Sequence, residues 1–270
     1  MALKTAKMPE SPKRFERLYA DFTVYMVEQM QQRFKNQILL KLNKKTVEKF
    51  ADAQVGNYAS VFLTMANRTS RKLKKQFDNK KIEKITGDVL GKVNKANQEQ
   101  TYAPFEKGLG LNVTALIAAE GLKPQVNALV SETAQWSKKL RDETLEFFTA
   151  NTLRSMSLGL PLEEVIKEFD LAASKKKNAA KFVARNQVAN FNGLTTKIRH
   201  QKLGITTGIW VTSRDERVRK CHELRDKKEF DLAEGLYSSC DQKTLFPGTD
   251  YNCRCTYRAI IPDLEEVEGL

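Results

Sequence analysis

The sequence predicts a mainly α protein: an elongated helical body carrying a small C-terminal α+β cap built on a short antiparallel β pair. Three observations predict it. Apolar residues recur three and four apart through most of the first 204 positions, the periodicity of helices with one buried face. The texture changes at residues 205–212 and again at 255–261, two short runs rich in β-branched and aromatic side chains that suit strands. Between them lies a polar insert with Gly235, Pro247 and Gly248, the composition of turns. The expected regions are a basic helical segment at 1–104, a helical body at 105–204, a Cys/His-containing β cap at 205–262 and an acidic tail at 263–270.

The first helix is announced by Ser11-Pro12, a cap followed by proline at the first helical position. Phe15, Leu18, Tyr19, Phe22, Met26 and Met30 then form one stripe. A second helix is expected from Thr46 through Val61 and Met65, grading into the basic run Arg71-Lys72-Leu73-Lys74-Lys75. Ile82, Ile85 and Val89 keep helical spacing after Lys80 and Lys81, although Gly87 and Gly91 weaken it. Pro104, Gly108 and Gly110 predict a break between helical layers over 102–112. A long helix or broken pair follows over 124–157, closed by Gly159, and Pro161 opens a short helix through Phe169. After the lysines at 175–177 comes the best-patterned helix, with Ala180, Ala184, Gln187, Phe191, Leu194 and Ile198 on one face. Gln187 is the polar exception there, and its amide calls for a specific partner. No period of 20–50 residues repeats, which argues against a solenoid.

Charge narrows the function classes. The 270 residues carry a net charge of +13, placed unevenly. Residues 1–207 hold 36 basic against 20 acidic side chains, and residues 208–270 hold 10 against 13. A basic excess of this kind draws nucleic acid or another polyanion without reading sequence, and it equally serves as a solvated surface. Arg71, Lys72, Lys74, Lys75, Lys80, Lys81 and Lys84 are the candidate DNA-binding residues. No apolar run approaches the length of a membrane span and no apolar stretch follows the first lysines, so a soluble chain made in a reducing cytosol is expected, without a membrane partner. In that setting the four cysteines read as free thiols or metal ligands rather than disulfides.

The chemistry concentrates in the last quarter. Asp215 follows a strand and can accept backbone N–H bonds at a turn. Arg217 and Arg219 flank Val218, forked donors suited to a carboxylate, carbonyls or phosphate. In Cys253-x-Cys255, strand alternation sends both thiols to one face. With His222 and Cys240, or Cys221 as substitute, they can surround a zinc ion. The same residues can equally be small buried thiols, with His222 hydrogen-bonded to a backbone carbonyl or to Asp215. Asp215, His222, Arg217 and Arg219 could also line the cleft of a nuclease or group transferase. Against that, no phosphate-cradling glycine loop, HExxH or nucleophile elbow is present. A zinc-ribbon-like nucleic-acid regulator is a third class, although the metal module is the least basic part of the chain.

Taken together, Trp210, Thr212, Asp215, Arg217, Val218, Arg219, His222 and Phe230, followed by Asn252-Cys253-Arg254-Cys255, resemble the phage head morphogenesis family, the Mu F-like minor head proteins of tailed phages. Phe182 to Gln187 match the segment preceding that family's long helix, and the resemblance spans roughly residues 105–262. The chain departs from the family at Lys227, usually glycine, and at Asn186–Gln187, often a charged pair. It also carries Arg219 and His222 where some relatives have Cys-x-x-Cys, a variant that supports metal binding in the family. The resemblance implies a non-catalytic minor capsid protein of the virion, at the portal vertex of the head and in the host cytoplasm during assembly. It implies roles in capsid assembly and in genome packaging or ejection. The implied partners are portal protein, major capsid or scaffolding protein, and double-stranded phage DNA, with zinc as the sole candidate cofactor.

Overall fold

The computed structural model describes residues 5–41, 55–109 and 112–262. In order they form β1 (Thr5–Lys7), α1 (Lys13–Gln37), a 3-10 turn (Leu39–Lys41), α2 (Val55–Gln76), α3 (Asn79–Leu109), α4 (Val113–Ala119), α5 (Lys123–Ser157), α6 (Leu162–Lys202), β2 (Thr207–Val211), α7 (Lys220–Glu223), β3 (Glu229–Asp231), β4 (Leu236–Ser238), β5 (Lys243–Leu245) and β6 (Thr256–Ile260). The fold is mainly α with a small antiparallel sheet near its C-terminal end. Two compact units divide it: Leu18–Thr86 with Ser131–Ala184, and Met1–Arg17 with Gly87–Val130 and Arg185–Leu270.

The first unit is helical. Along α2 the residues Phe62, Ala66, Thr69 and Leu73, then Phe77 just beyond, are buried at spacings of three and four. They join a core in which Phe34 stacks on Phe169 at 5.9 Å between centroids and Phe148 tilts against Phe169 at 4.9 Å. Such aromatic pairs add about 0.5–1.5 kcal/mol each beyond the area they bury. The turn from α2 into α3 is capped by Asp78, whose Oδ1 accepts the Lys81 N–H at 2.8 Å. Buried Arg141 donates to the Phe77 carbonyl at 2.8 Å and to Asn79 Oδ1 at 3.0 Å, which fastens the same turn.

Two expectations about helices need correction. α3 runs unbroken to Leu109 with Pro104 inside it, where a break over 102–112 was expected. Pro104 sits on the exposed side, and the helix keeps Thr101, Tyr102 and Phe105 buried, so packing outweighs one missing backbone bond. The short helix expected through Phe169 and the patterned helix after it are one continuous element, α6. No breaker separates them, and the intervening lysines are exposed or half-buried on its surface. The proposed start of the second helix at Thr46 lies outside the described residues, as does the acidic tail at 263–270; α2 is seen from Val55. Gly159 does close α5: with φ +68° it lets its own N–H reach the Met156 carbonyl and the Leu160 N–H reach that of Ser155.

The second unit contains the sheet. The expected pair is β2 with β6, in register at Trp210↔Tyr257 and Val211↔Thr256. Structure enlarges it: β3 adds outside β2, β1 adds outside β6, and all the pairings are antiparallel in the order β1-β6-β2-β3. The insert read as turns also folds a hairpin, β4–β5. Beside the sheet, α3, α4 and α6 share a polar interior. Arg199 has no exposed surface; it pairs with Glu120 and donates to Asn97 Oδ1 and, at 2.7 Å, to Asn94 Oδ1. Glu120 also accepts from Gln98 at 2.8 Å and Tyr102 at 3.0 Å, while the Asn97 amide donates to Asn192 Oδ1 at 2.9 Å. Nearby, burial pushes the His200 imidazole down to about 4, and its Nδ1 meets the Tyr257 hydroxyl at 2.7 Å.

Candidate functional site

The cap brings the two halves of the cysteine–histidine pattern together. β2 ends beside Thr212, whose N–H and hydroxyl both donate to Asp226 Oδ1, at 2.8 and 3.1 Å. The chain then turns at Asp215, which accepts the Arg217 N–H at 3.1 Å as expected and pairs with Arg254. The short α7 follows and points His222 inward. His222 Nδ1 lies 3.5 Å from Cys253 Sγ and 3.5 Å from Cys255 Sγ, and all three side chains are buried. Its other nitrogen, Nε2, lies 3.1 Å from Asp250 Oδ2. Arg219 holds Asp250 at 2.9 Å and donates to the Tyr251 carbonyl at 2.6 Å. His222 therefore turns to Asp250, not to Asp215 as one reading had it. Arg217 stays exposed. On the motif's last segment, the Asn252 N–H donates to Asn186 Oδ1 at 3.1 Å, which ties the loop to α6. Gln187, the polar exception on that helix, is buried as well.

Electrostatics divides the two sulfurs. Hydrogen bonds from Cys255 and His222 pull the Cys253 thiol down against the opposing effect of burial. That hydrogen bond, burial and the charge on Cys253 push the Cys255 thiol up, and the bond to Cys253 raises the imidazole. Ionisation of either sulfur thus opposes ionisation of the other. A cation bound between the sulfurs would let both ionise, because it supplies the charge that each withholds from the other.

The residues fit a metal ion. Two thiols and an imidazole nitrogen within 4.8 Å of one another form a soft N/S donor set of the zinc type. Among the described residues the buried indole N–H of Trp210 has no well-aligned hydrogen-bond partner, and its approach to Cys255 favours that residue's thiolate. The carboxylate of Asp250 on the far nitrogen of His222 is the arrangement that fixes a ligating imidazole's tautomer and orientation. Cys240, offered as the fourth ligand, and its substitute Cys221 are excluded from the set because they are bonded to each other. This also corrects the expectation of four free cysteines. Helix α7 and the turn after β4 bring the two Cα atoms to 5.4 Å, within the span of a disulfide.

Two residues that the sequence did not single out organise the centre. Asp250 is one. The other is Arg225, 1% exposed, which donates to the carbonyls of Leu236, Cys221 and Lys243 and forms a two-pronged pair with Asp241 at 3.0 and 2.9 Å. It binds the β4–β5 hairpin to α7 and lies over the Trp210 ring, 5.6 Å from the centroid. Lys227, where glycine was the family's usual residue, keeps the glycine conformation, with φ +63° and its N–H on the Trp210 carbonyl at 2.8 Å. Lys227→Gly is therefore expected to stabilise the chain by roughly 0.5–1 kcal/mol in denaturant titrations, relief of left-handed strain outweighing the added freedom of the unfolded state.

The seven basic residues lie at the end of α2 and the start of α3, and all are exposed. Lys74 pairs with Asp142 at 3.1 Å, and Lys81 lies 5.5 Å from the centroid of the Phe77 ring and donates to the Gln76 carbonyl at 3.4 Å. Among the described residues no helix is long and apolar enough to cross a membrane.

Fold and centre together define a helical protein closed by a small Cys/His cap. Residues 146–258, which span all of α6, the centre, the strands β2 to β5 and most of β6, match the family model described as Phage Mu protein F like protein. Over those residues the chain is similar to the Mu F-like phage head morphogenesis family. A protein of Haemophilus influenzae described as uncharacterized is 27% identical over 189 residues, covering 68% of this chain and 40% of that protein. The chain thus spans about two fifths of the length of the curated relative it matches. No solved structure matches it.

Proposed function

We propose that the chain is a non-catalytic minor head protein seated at the portal vertex of a tailed-phage virion, where it acts in head assembly and in genome packaging or ejection. Portal protein is its first partner, with major capsid or scaffolding protein as neighbours during assembly in the host cytoplasm. One face of its helical body meets double-stranded DNA, and the cap holds a structural zinc ion through His222, Cys253 and Cys255. Bound zinc would supply the cross-link and the positive charge that hold both thiolates against the imidazole.

The observation that carries the DNA contact is the exposed basic run at the α2–α3 turn, fixed by Asp78 and Arg141 rather than left on a loose loop. Arg71, Lys72, Lys75, Lys80 and Lys84 can each reach a phosphate. Five such contacts predict a log–log salt slope of about −4 to −5 on nonspecific duplex DNA, or a loss of affinity of several hundredfold over a roughly fourfold rise in salt. Replacing Lys72, Lys75 and Lys80 with Gln should reduce that slope by about 3. Fluorescence anisotropy on a labelled duplex checks this; absent binding at low salt, or binding indifferent to salt, would remove DNA from the reading.

A second reading has one observation in its favour. Cys253, His222 and Asp250 follow one another as a nucleophile, a base and an orienting carboxylate would. The sulfur is buried, however, and a second sulfur competes for the same nitrogen at the same distance, which favours the metal. Rapid alkylation of Cys253 by iodoacetamide in the native, zinc-replete protein would reverse the preference.

A further inference from the structure

The outer edge of the cap's sheet is covered by a strand from the opposite end of the numbering. β1 pairs with β6 at Thr5↔Ile260, Ala6↔Ala259 and Lys7↔Arg258. The next residue, Met8, donates its N–H to the Tyr257 carbonyl at 2.9 Å, and the buried amide of Asn192 donates to the Pro9 carbonyl at 3.0 Å. Ala6 and Met8 are buried in the cap's apolar core. Gly193 and Gly248 line the socket for Met8: a Cβ on Gly193 would stand 3.4 Å from the Met8 methyl, and one on Gly248 4.0 Å, both at van der Waals contact. Main-chain bonds along an edge, with an apolar side chain in a pocket behind it, are the features of a peptide bound by strand addition.

Other features limit how firmly this strand is held. It is three residues long. On its exposed face Lys7 stands directly across from Arg258, a like-charge pairing that weakens a strand pair and that the Lys7–Glu10 ion pair at 2.7 Å offsets only in part. Its link to α1 is the short run Pro9-Glu10-Ser11-Pro12, in which each proline fixes its own φ and bars continuation of the sheet. Without the strand, β6 presents an unpaired edge beside an open apolar socket, which is a template for another chain.

We propose that the β6 edge is an interface between copies of this chain, in which residues 5–9 of one copy seat on β6 of a second copy through the same hydrogen bonds and the same socket. The occupant follows from the socket: it fits Ala6 and Met8 at that spacing, and a second copy offers the same pair on the same hinge. Exchange of an identical element forms the interface at little cost, since the pairing that opens within one chain closes again between two. This inference stands apart from any role in a phage head.

Cross-linking tests it at two exposed positions. Full-length Lys7→Cys protein is mixed with full-length Arg258→Cys protein at low and at high concentration, oxidised, digested and mapped by mass spectrometry. The expected product is a covalent dimer of twice the chain mass, joined between positions 7 and 258, whose yield rises with concentration. The doubly substituted chain should close within itself when dilute, which shows that the pair is competent and the cap folded. Internal closure at every concentration, with no 7–258 link in the mixture, overturns the proposal. So does failure of the dilute double variant to close, since the strand pairing would then be absent, and so do dimers linked only through Cys253 or Cys255.

Discussion

Cys255→Ser is expected to abolish retention of zinc and to lower the thermal midpoint of the protein by about 10 °C. The reasoning starts from the charge balance at the centre, where the Cys253 thiol is drawn towards thiolate while that of Cys255 is held protonated. A divalent cation resolves that conflict, and losing one of its two sulfurs should release it. Structural zinc contributes about 10–16 kcal/mol in finger peptides that lack any other core. This cap has one, in which Trp210, Phe230, Leu232 and Tyr257 are all buried, so a smaller loss on the order of 3–4 kcal/mol is expected. Spread over a chain of this size, that is the shift stated, at about 2–4 °C per kcal/mol. Metal analysis of protein grown without added zinc and thermal melts with and without a chelator provide the check. Metal-free protein that melts identically in both conditions would leave a buried dithiol and no metal centre.

Glu120→Ala should be comparably damaging for the opposite reason. Here the charge compensation is already complete within the protein. Arg199 is wholly buried, and Glu120 is its counterion, with Asn94 and Asn97 taking its remaining donors. Removing the carboxylate leaves a guanidinium in the interior beside two amides, and breaking a buried pair in this way costs about 3–5 kcal/mol. Replacing both members, Glu120→Leu with Arg199→Met, is expected to recover a large part of that loss, because the desolvation penalty goes with the charge. Urea unfolding of the single and double variants separates the two outcomes. A single variant as stable as the parent would mean that the guanidinium reaches water.

How much of this was legible in the sequence can be judged residue by residue. The β2–β6 pair and the meeting of His222 with Cys253 and Cys255 were visible because local signals carry them: β-branched runs, a Cys-x-Cys alternation and an Asp215 turn. The helical stripes were visible for the same reason. Pro104 misled because its cost depends on whether the missing N–H would have faced water, which only packing decides. Thr5-Ala6-Lys7 has no strand signature at all; its pairing is imposed by the edge it meets. Arg225, Asp250 and the Arg199–Glu120 pair were missed since each is defined by a partner distant in the chain or in another element. The Cys221–Cys240 bond was missed because the expected compartment argued against it, and nothing local says that α7 and the turn after β4 converge. The lysine at 227 was flagged as a departure, yet the turn survives it, which shows that a backbone conformation can outlast the residue that best suits it.

The register Ala6↔Ala259 has a consequence for the order of events during synthesis. Helices such as α2 and α3 make their own bonds within a few residues and can form while the nascent chain is still short. The sheet of the cap waits, because β6 is synthesised after every other strand it contains. Until then residues 5–9 have no edge to join. Until β6 emerges that segment is an untethered apolar hook, and on a polysome its neighbours are other nascent chains with the same one.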